Sequence, residues 1–339
     1  MANLQKYFEK FHENIRTDYD MSSTLRDKRD IILKRIREYL SKNNLPGFTE
    51  MLQGSFAIKT GIKPIKDLEY DIDVALRFSF KDDEHTAIEV RKWVLDAVKG
   101  HTESVEDKGP CTRVTYADRY HVDLVSYAVW DDSFGITQYR FAHKENGWRP
   151  AEPFELIDYI KKAMEKFEDT DDSATNTNQF RRVVRYLRRW MDEAMPYETD
   201  SKPTGIGFVF LAINYLAKSL DWIGKPDDRL GLYDMAYSVS NVFGRIVLKK
   251  PTQEYEDLFR KMTDDDMKSF KERIGNLASD LTLAYQEPDP VKACELLREH
   301  FGDDFPVPEP EDTAKKTIAP AIVPSSSSAK RLSEHERRR

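Results

Sequence analysis

The sequence predicts an α+β fold, with an α/β lobe packed on an all-helical lobe and a flexible tail behind them, and three observations carry the prediction. Short β-like runs alternate with helical periodicity only as far as Pro150. Beyond it, apolar residues recur almost everywhere at helical spacing, with few strand signals. From about Pro306 the core pattern stops, and Pro306, Pro308, Pro310, Pro320, Pro324 and the run Ser325–Ser328 read as a flexible tail. The expected units are therefore 1–150, 151–306 and 307–339.

Leu4, Tyr7, Phe8, Phe11 and Ile15 fall at helical spacing and predict an amphipathic first helix. Ser22 and Ser23 are candidate N-caps of a longer helix to about Lys42, with Leu25, Ile32, Ile36, Tyr39 and Leu40 as its apolar face. Asn43, Asn44, Pro46 and Gly47 end it. Strands are expected at Thr49–Leu52, Tyr70–Phe78, Arg113–Tyr116 and His121–Trp130, a helix at Thr86–Val98, and a hairpin over Gln138–Trp148. In the second half, 154–167, 178–195, 205–220, 228–243, 253–262, 264–286 and 290–300 read as helices.

The chain has 339 residues, of which 40% are apolar and 12% aromatic, enough to build a core and to exclude wholesale disorder. Lys and Arg number 53 against 60 Asp and Glu, a net charge of −7, which makes general DNA binding a poor expectation. The tail is the exception: seven basic and two acidic side chains over 314–339 give it +5 and leave −12 on the rest. Two distant cysteines, Cys111 and Cys294, offer neither a disulfide framework nor a zinc knuckle. The first residues hold no apolar signal region, and the apolar stretch from Gly205 to Ala217 is shorter than the ~20 residues of a membrane span. A soluble, cytoplasmic protein with no membrane partner is expected.

The chemistry lies in Gln53-Gly54-Ser55-Phe56-Ala57-Ile58-Lys59-Thr60 and Tyr70-Asp71-Ile72-Asp73-Val74. Two residues apart on a strand, Asp71 and Asp73 share one face while Ile72 and Val74 take the other. Side-by-side carboxylates repel, and a hard divalent cation such as Mg²⁺ relieves the repulsion. His121-Val122-Asp123-Leu124-Val125 supplies a third carboxylate from a strand able to pair alongside, and three such groups fit a two-metal phosphoryl-transfer site. Glycine at 54 lets backbone approach a triphosphate, with the Ser55 hydroxyl and following amides as donors and Lys59 and Thr60 one turn on. A helix starting at Ser55 would add its N-terminal dipole. Singly these runs are commonplace strand edges and turns; their order along the chain is the signal.

That order resembles the nucleotidyltransferase superfamily of DNA polymerase β and, within it, the cGAS/DncV-like nucleotidyltransferases (CD-NTases) of bacterial antiphage signalling. Gln53-Gly54-Ser55, Thr60, Lys63-Pro64 and Asp71-Ile72-Asp73 match its first block, and His121-Val122-Asp123-Leu124 its third-carboxylate strand. Trp148-Arg149-Pro150, the basic helix around Arg185, Lys202-Pro203-Thr204 and Phe301-Gly302-Asp303-Asp304-Phe305-Pro306 point to the CD-NTase branch. The resemblance implies a polymerase-β-like α/β lobe in which Asp71, Asp73 and Asp123 bind two Mg²⁺, with Mn²⁺ as substitute. It implies ATP, GTP or other NTPs held by Gln53, Gly54, Ser55, Lys59 and Thr60, with Arg185, or Arg189 in reserve, reaching the donor triphosphate beside Lys202 and Thr204. A cyclic di- or trinucleotide that activates an effector protein follows, and a regulatory protein partner at the C-terminal tail. Where the vertebrate branch places a base-stacking aromatic after its hydroxyl residue, this chain has Gly205.

In Gln179–Met191, Arg181, Arg185, Arg188 and Arg189 cluster opposite an apolar stripe of Val183, Val184, Leu187, Trp190 and Met191. Arg181 and Arg188 are read as a solvated face, and His121 as a partly buried, hydrogen-bonded histidine. Thr263-Asp264-Asp265-Asp266 is read as a helix cap. Two rivals remain beside the cyclase: untemplated nucleotide transfer to RNA or another acceptor, and a catalytically inactive nucleotide-binding module.

Overall fold

A computed structural model describes residues 3–17, 23–65, 70–117, 120–172, 174–195, 201–252 and 256–309. Ser22 and the Ser/Arg-rich tail from 310 onward lie outside the described residues. Two helices lead the chain, α1 (Gln5–Ile15) and α2 (Ser23–Lys42). Then come β1 (Phe48–Leu52), a single turn α3 (Gly54–Ala57), β2 (Tyr70–Phe78), α4 (Ala87–Val98), β3 (Ser104–Asp107), β4 (Thr112–Tyr116), β5 (Tyr120–Asp131), β6 (Thr137–His143) and β7 (Gly147–Pro150). The helical part holds α5 (Pro153–Met164), α6 (Gln179–Ala194), α7 (Gly205–Tyr215), α8 (Asp228–Ser240), α9 (Asp264–Gln286) and α10 (Pro290–Phe301).

The strands form one sheet in the order β1-β2-β5-β4-β3, with β6 added to β5 and β7 to β6. Among the described strands only β2 and β5 run parallel, and their register sets Asp73 beside Asp123 and Asp71 beside His121. The period of two then divides the faces. Ile72, Val74, Leu76 and Phe78 of β2, with Val122, Leu124 and Ala128 of β5, join Leu25, Ile32 and Ile36 of α2 and Val90 and Val94 of α4 in one core. Each buried Val, Leu, Ile or Phe among them contributes about 1.5–3 kcal/mol. The opposite face is left to the carboxylates. Thr86 and Glu89 close a capping box on α4, so the helix covering the apolar face starts where the sequence marks it.

The second core is helical, and α1 belongs to it. Phe8 and Phe11 pack against Phe301 and Phe305 at ring-centroid distances of 4.9–6.2 Å. α1 thus shares its core with the helices after the sheet. Ile58, just past α3, is buried in the same helical core.

Four expectations need correction. β3 was not anticipated. The helix expected over 253–262 is absent among its described residues, where a bridge from Lys249 to Asp257 is followed by turns. The helix expected to reach 220 ends at Tyr215, because Leu216 turns extended and the Gln179 side chain holds both backbone groups of Ser219. Finally, α6 is buried nearly all round: Arg182, Arg185 and Arg189 are at most 1% exposed.

Candidate active site

Parallel pairing of β2 and β5 brings the carboxylates together. One ligand atom each of Asp71, His121 and Asp123 lies within 4.8 Å of the others, a set able to hold a metal ion. Asp71 is exposed and Asp123 buried. His121 Nε2 stands 3.1 Å from Asp71 Oδ1, so the buried, hydrogen-bonded reading of this histidine holds, and the residue also joins the ligand set. Asp73, in register with Asp123, has its carboxylate against the Gly54 turn, where a Cβ at 54 would collide with Asp73 Oδ2. Gly54 also sits at φ +58, a conformation that glycine adopts without the cost of a side chain. Two independent constraints thus fix glycine there. The Gln53 amide donates to Asp73 O at 2.9 Å, tying the turn to the strand.

Electrostatics supports a cation-seeking site. Burial, followed by the negative charges of Asp71 and Asp123, pushes the Asp73 carboxyl up to about 8. A bound cation reverses that balance. Arg113 on β4, opposite Asp123 in register, grips it bidentately, Nε to Oδ1 at 2.7 Å and Nη2 to Oδ2 at 2.6 Å, which fixes the carboxylate's orientation. Sequence reading missed Arg113; its place two residues after Cys111 on a strand carries no signal until the register is known. Burial and the Asp123 charge push the Cys111 thiol up to about 12, so it supplies no thiolate to the site.

The remaining expected residues separate into groups. Gly54 stands against the Asp73 carboxylate, and Ser55 O accepts from the Thr60 amide at 2.8 Å. The single turn α3 is too short for the dipole expected of a helix at Ser55. Gln53 is buried and donates to the Tyr127 hydroxyl at 2.9 Å. Lys59 is exposed with φ +56, and Thr60 is buried. Lys202 Nζ donates to Met195 O at 2.6 Å and lies 3.7 Å from Asp192. Thr204 caps α7, its hydroxyl accepting from the Gly207 amide.

On α6 the arginines all engage protein groups. Arg185 is fully buried, donating Nε to Gly61 O at 3.0 Å and Nη1 to His12 Nε2 at 2.6 Å. Arg189 pairs with Asp304 and donates to Lys63 O at 2.6 Å. Arg188, expected on a solvated face, is partly buried and feels the charges of Asp192, Asp71 and Asp73, and its guanidinium lies against Gly205. Burial lowers its pKa, against the opposing pull of Asp192, Asp71 and Asp73.

The parallel β2/β5 pair thus carries Asp71, Asp73 and Asp123 on one face, with the Gly54 turn against Asp73. Residues 49–127, from β1 through the strand of Asp123, match the family model described as cyclic GMP-AMP synthase DncV-like, nucleotidyltransferase domain. The fold is that of the DncV enzymes. The crystal structure of Vibrio cholerae DncV cyclic AMP-GMP synthase, a prokaryotic cGAS homolog, superposes with a TM-score of 0.72 at 16% identity, covering 90% of this chain and 98% of that one. Its complex with the linear intermediate 5′ pppA(3′,5′)pG gives 0.71 at 16% identity over 88% and 96%. Escherichia coli DncV with 3′-deoxy GTP gives 0.67 at 15% identity over 86% and 93%. Among the described residues no helix is long and apolar enough to cross a membrane.

Proposed function

We propose that this chain is a divalent-metal-dependent nucleotidyltransferase that joins nucleoside triphosphates into a cyclic di- or trinucleotide. The observation that carries the reading is the convergence of Asp71 and Asp123, with Asp73 in register, beside the Gly54-Ser55 turn of a DncV-like domain. Solved relatives of the same fold hold GTP analogues and a linear pppApG intermediate, which favours ATP and GTP as substrates.

The site's own residues suit the task. Asp71, Asp73 and Asp123 would hold the metal, since their mutual repulsion is what a cation removes. When bound, Mg²⁺ (or Mn²⁺ in its place) lowers the pKa of the attacking ribose hydroxyl and neutralises charge on the phosphates. Arg113 aims the Asp123 carboxylate, placing it to accept the hydroxyl proton. Gly54 allows close approach of the donor triphosphate, and the Ser55 hydroxyl orients it. Of the α6 arginines, Arg188 takes the place expected of Arg185 as the cation beside the donor phosphates. Lys202 and Thr204 stand at the start of α7 as further donor contacts. The product would serve as a second messenger that activates an effector in antiphage signalling, in the cytoplasm. The basic tail is the segment through which a regulatory partner would act.

The test is direct. Purified protein is incubated with NTPs and Mg²⁺ and the products treated with phosphatase. A phosphatase-resistant small product is expected. Pyrophosphate release only when RNA is added would transfer the reading to an RNA-directed enzyme, and no turnover under any condition would leave a nucleotide-binding module.

A further inference from the structure

Resting on the nucleotidyltransferase reading for what the segment serves, we propose that the arginines of α6 form a carbonyl clamp. They set the shape of residues 58–63 behind the Gly54-Ser55 turn and make α6 a positioning element for it. The pattern is regular. Arg181 Nε donates to Ile58 O at 3.1 Å, Arg188 Nη1 to Thr60 O at 2.5 Å, Arg185 Nε to Gly61 O at 3.0 Å and Arg189 Nη2 to Lys63 O at 2.6 Å. Positions 181, 185, 188 and 189 lie on one helical face, so one helix side meets one stretch of backbone.

Segment 58–63 belongs to no helix or strand beyond one isolated bridge at Ile62, so its carbonyls need partners from elsewhere. Water cannot serve where Ile58, Thr60 and Gly61 are buried. Guanidinium suits the role, because its five donors in a rigid fork can hold a carbonyl and a second acceptor at once. Arg185 and Arg189 do so: the second acceptors are His12 on α1 and Asp304 after α10. The far side of the segment is held by α1 and the residues after it, with the Lys63 amide on Ile15 O at 2.7 Å and the Thr17 amide on Gly61 O at 3.2 Å. Gly61 fits there because a Cβ would stand 2.7 Å from Thr17 O.

The clamp connects to the site through two amides. Thr60 donates to Ser55 O at 2.8 Å and Lys59 to Phe56 O at 3.3 Å, so the conformation imposed on 58–61 is handed to the turn bearing Ser55. Lys59 keeps a left-handed backbone without being glycine, an arrangement that persists only where the surroundings over-determine it. Arg185 and Arg189, at 0% and 1% exposure, hold these acceptors out of reach of water.

The test is amide hydrogen exchange on the full-length protein without nucleotide, where a phosphate-binding role has nothing to show. Arg185→Met is expected to speed exchange of the Lys59–Lys63 amides at least tenfold while those of α9 stay unchanged. Because Arg185 is fully buried, that variant can fail to fold. Arg181→Met, at a half-buried position, then decides, with an expected severalfold acceleration over the same amides. Arg181→Lys, whose ammonium can still donate to Ile58 O, should restore protection. Unchanged exchange over 59–63 in folded Arg181→Met, or loosening spread evenly over the whole protein, would overturn the clamp. Failure of the NTP assay alone would overturn the enzymatic reading and leave this result standing.

Discussion

The carboxylate face of the sheet and the arginine face of α6 are both clusters of like charge, and they resolve repulsion in opposite ways. On the sheet, Asp71, Asp73 and Asp123 are aligned by backbone register, one of them exposed, with Arg113 as a guanidinium partner for Asp123 alone. Burial, and behind it the charges of Asp71 and Asp123, raises the Asp73 carboxyl. On α6, each arginine finds backbone carbonyls, and Arg182 closes a bidentate pair with Asp228 at 2.7 and 2.8 Å that also receives the Tyr186 hydroxyl. Like charges left facing one another leave room for a ligand, whereas like charges each given a protein acceptor are architecture, with Arg188, which also feels Asp71 and Asp73, standing between the two.

That contrast can be broken at four points. Asp73→Asn should lower nucleotidyl transfer by about 10³-fold or more, since metal neutralisation is worth several kcal/mol. Its melting temperature should stay level or rise, because a repelling carboxylate is gone. Near-normal turnover would remove the sheet cluster from the chemistry. Arg182→Met should do the reverse and cost roughly 3–5 kcal/mol of stability, as the Asp228 carboxylate is left buried without its cation. Urea denaturation would measure it, and a loss under 1 kcal/mol would deny the arginine face its structural role.

The third point is pH. Burial, and then the charges of Arg185, Arg182 and Arg16, draw His12 down from 6.5 to about 2. The unfolded chain then binds a proton below pH 6.5 that the folded protein refuses. Stability should therefore fall as pH drops from 6.5 toward 2, by up to ~1.4 kcal/mol per pH unit from this residue. His12→Gln should flatten that acid limb in denaturation measured between pH 4 and 7; an unaltered slope would show that His12 titrates normally. The smallest effect is expected at Thr204→Val, which removes the hydroxyl capping α7 and should cost about 1 kcal/mol. A larger fall in NTP affinity than in stability would add a substrate contact to the cap.

Much of the sheet site was legible because its signals are local. Alternation placed Asp71 and Asp73 on one face, and the next strand-borne aspartate completed the set. Gly54 was legible as a glycine, though not its reason, since the collision with Asp73 joins residues nineteen apart. Arg113 was silent because its partner is chosen by strand register. On α6 the helix and its apolar stripe were legible, but a row of arginines suggests water or phosphate. Nothing local announces that a stretch of irregular backbone will be buried against it. The same blindness extended the helix at 205 to 220 and assigned one at 253, where periodicity continued and long-range partners did not permit it.

By itself, then, the sequence determined the α+β division, nearly every helix and strand, and which carboxylates share a face, because these follow from periods of 3.6 and 2 and from nearest neighbours. Tertiary structure alone decided which charges would face each other and which would be absorbed. It set Arg113 on Asp123, buried Arg185 under Gly61 and His12, and carried α1 into the helical core. Those outcomes depend on which distant polar group arrives at hydrogen-bonding distance once water has left, and no stretch of sequence encodes that by itself.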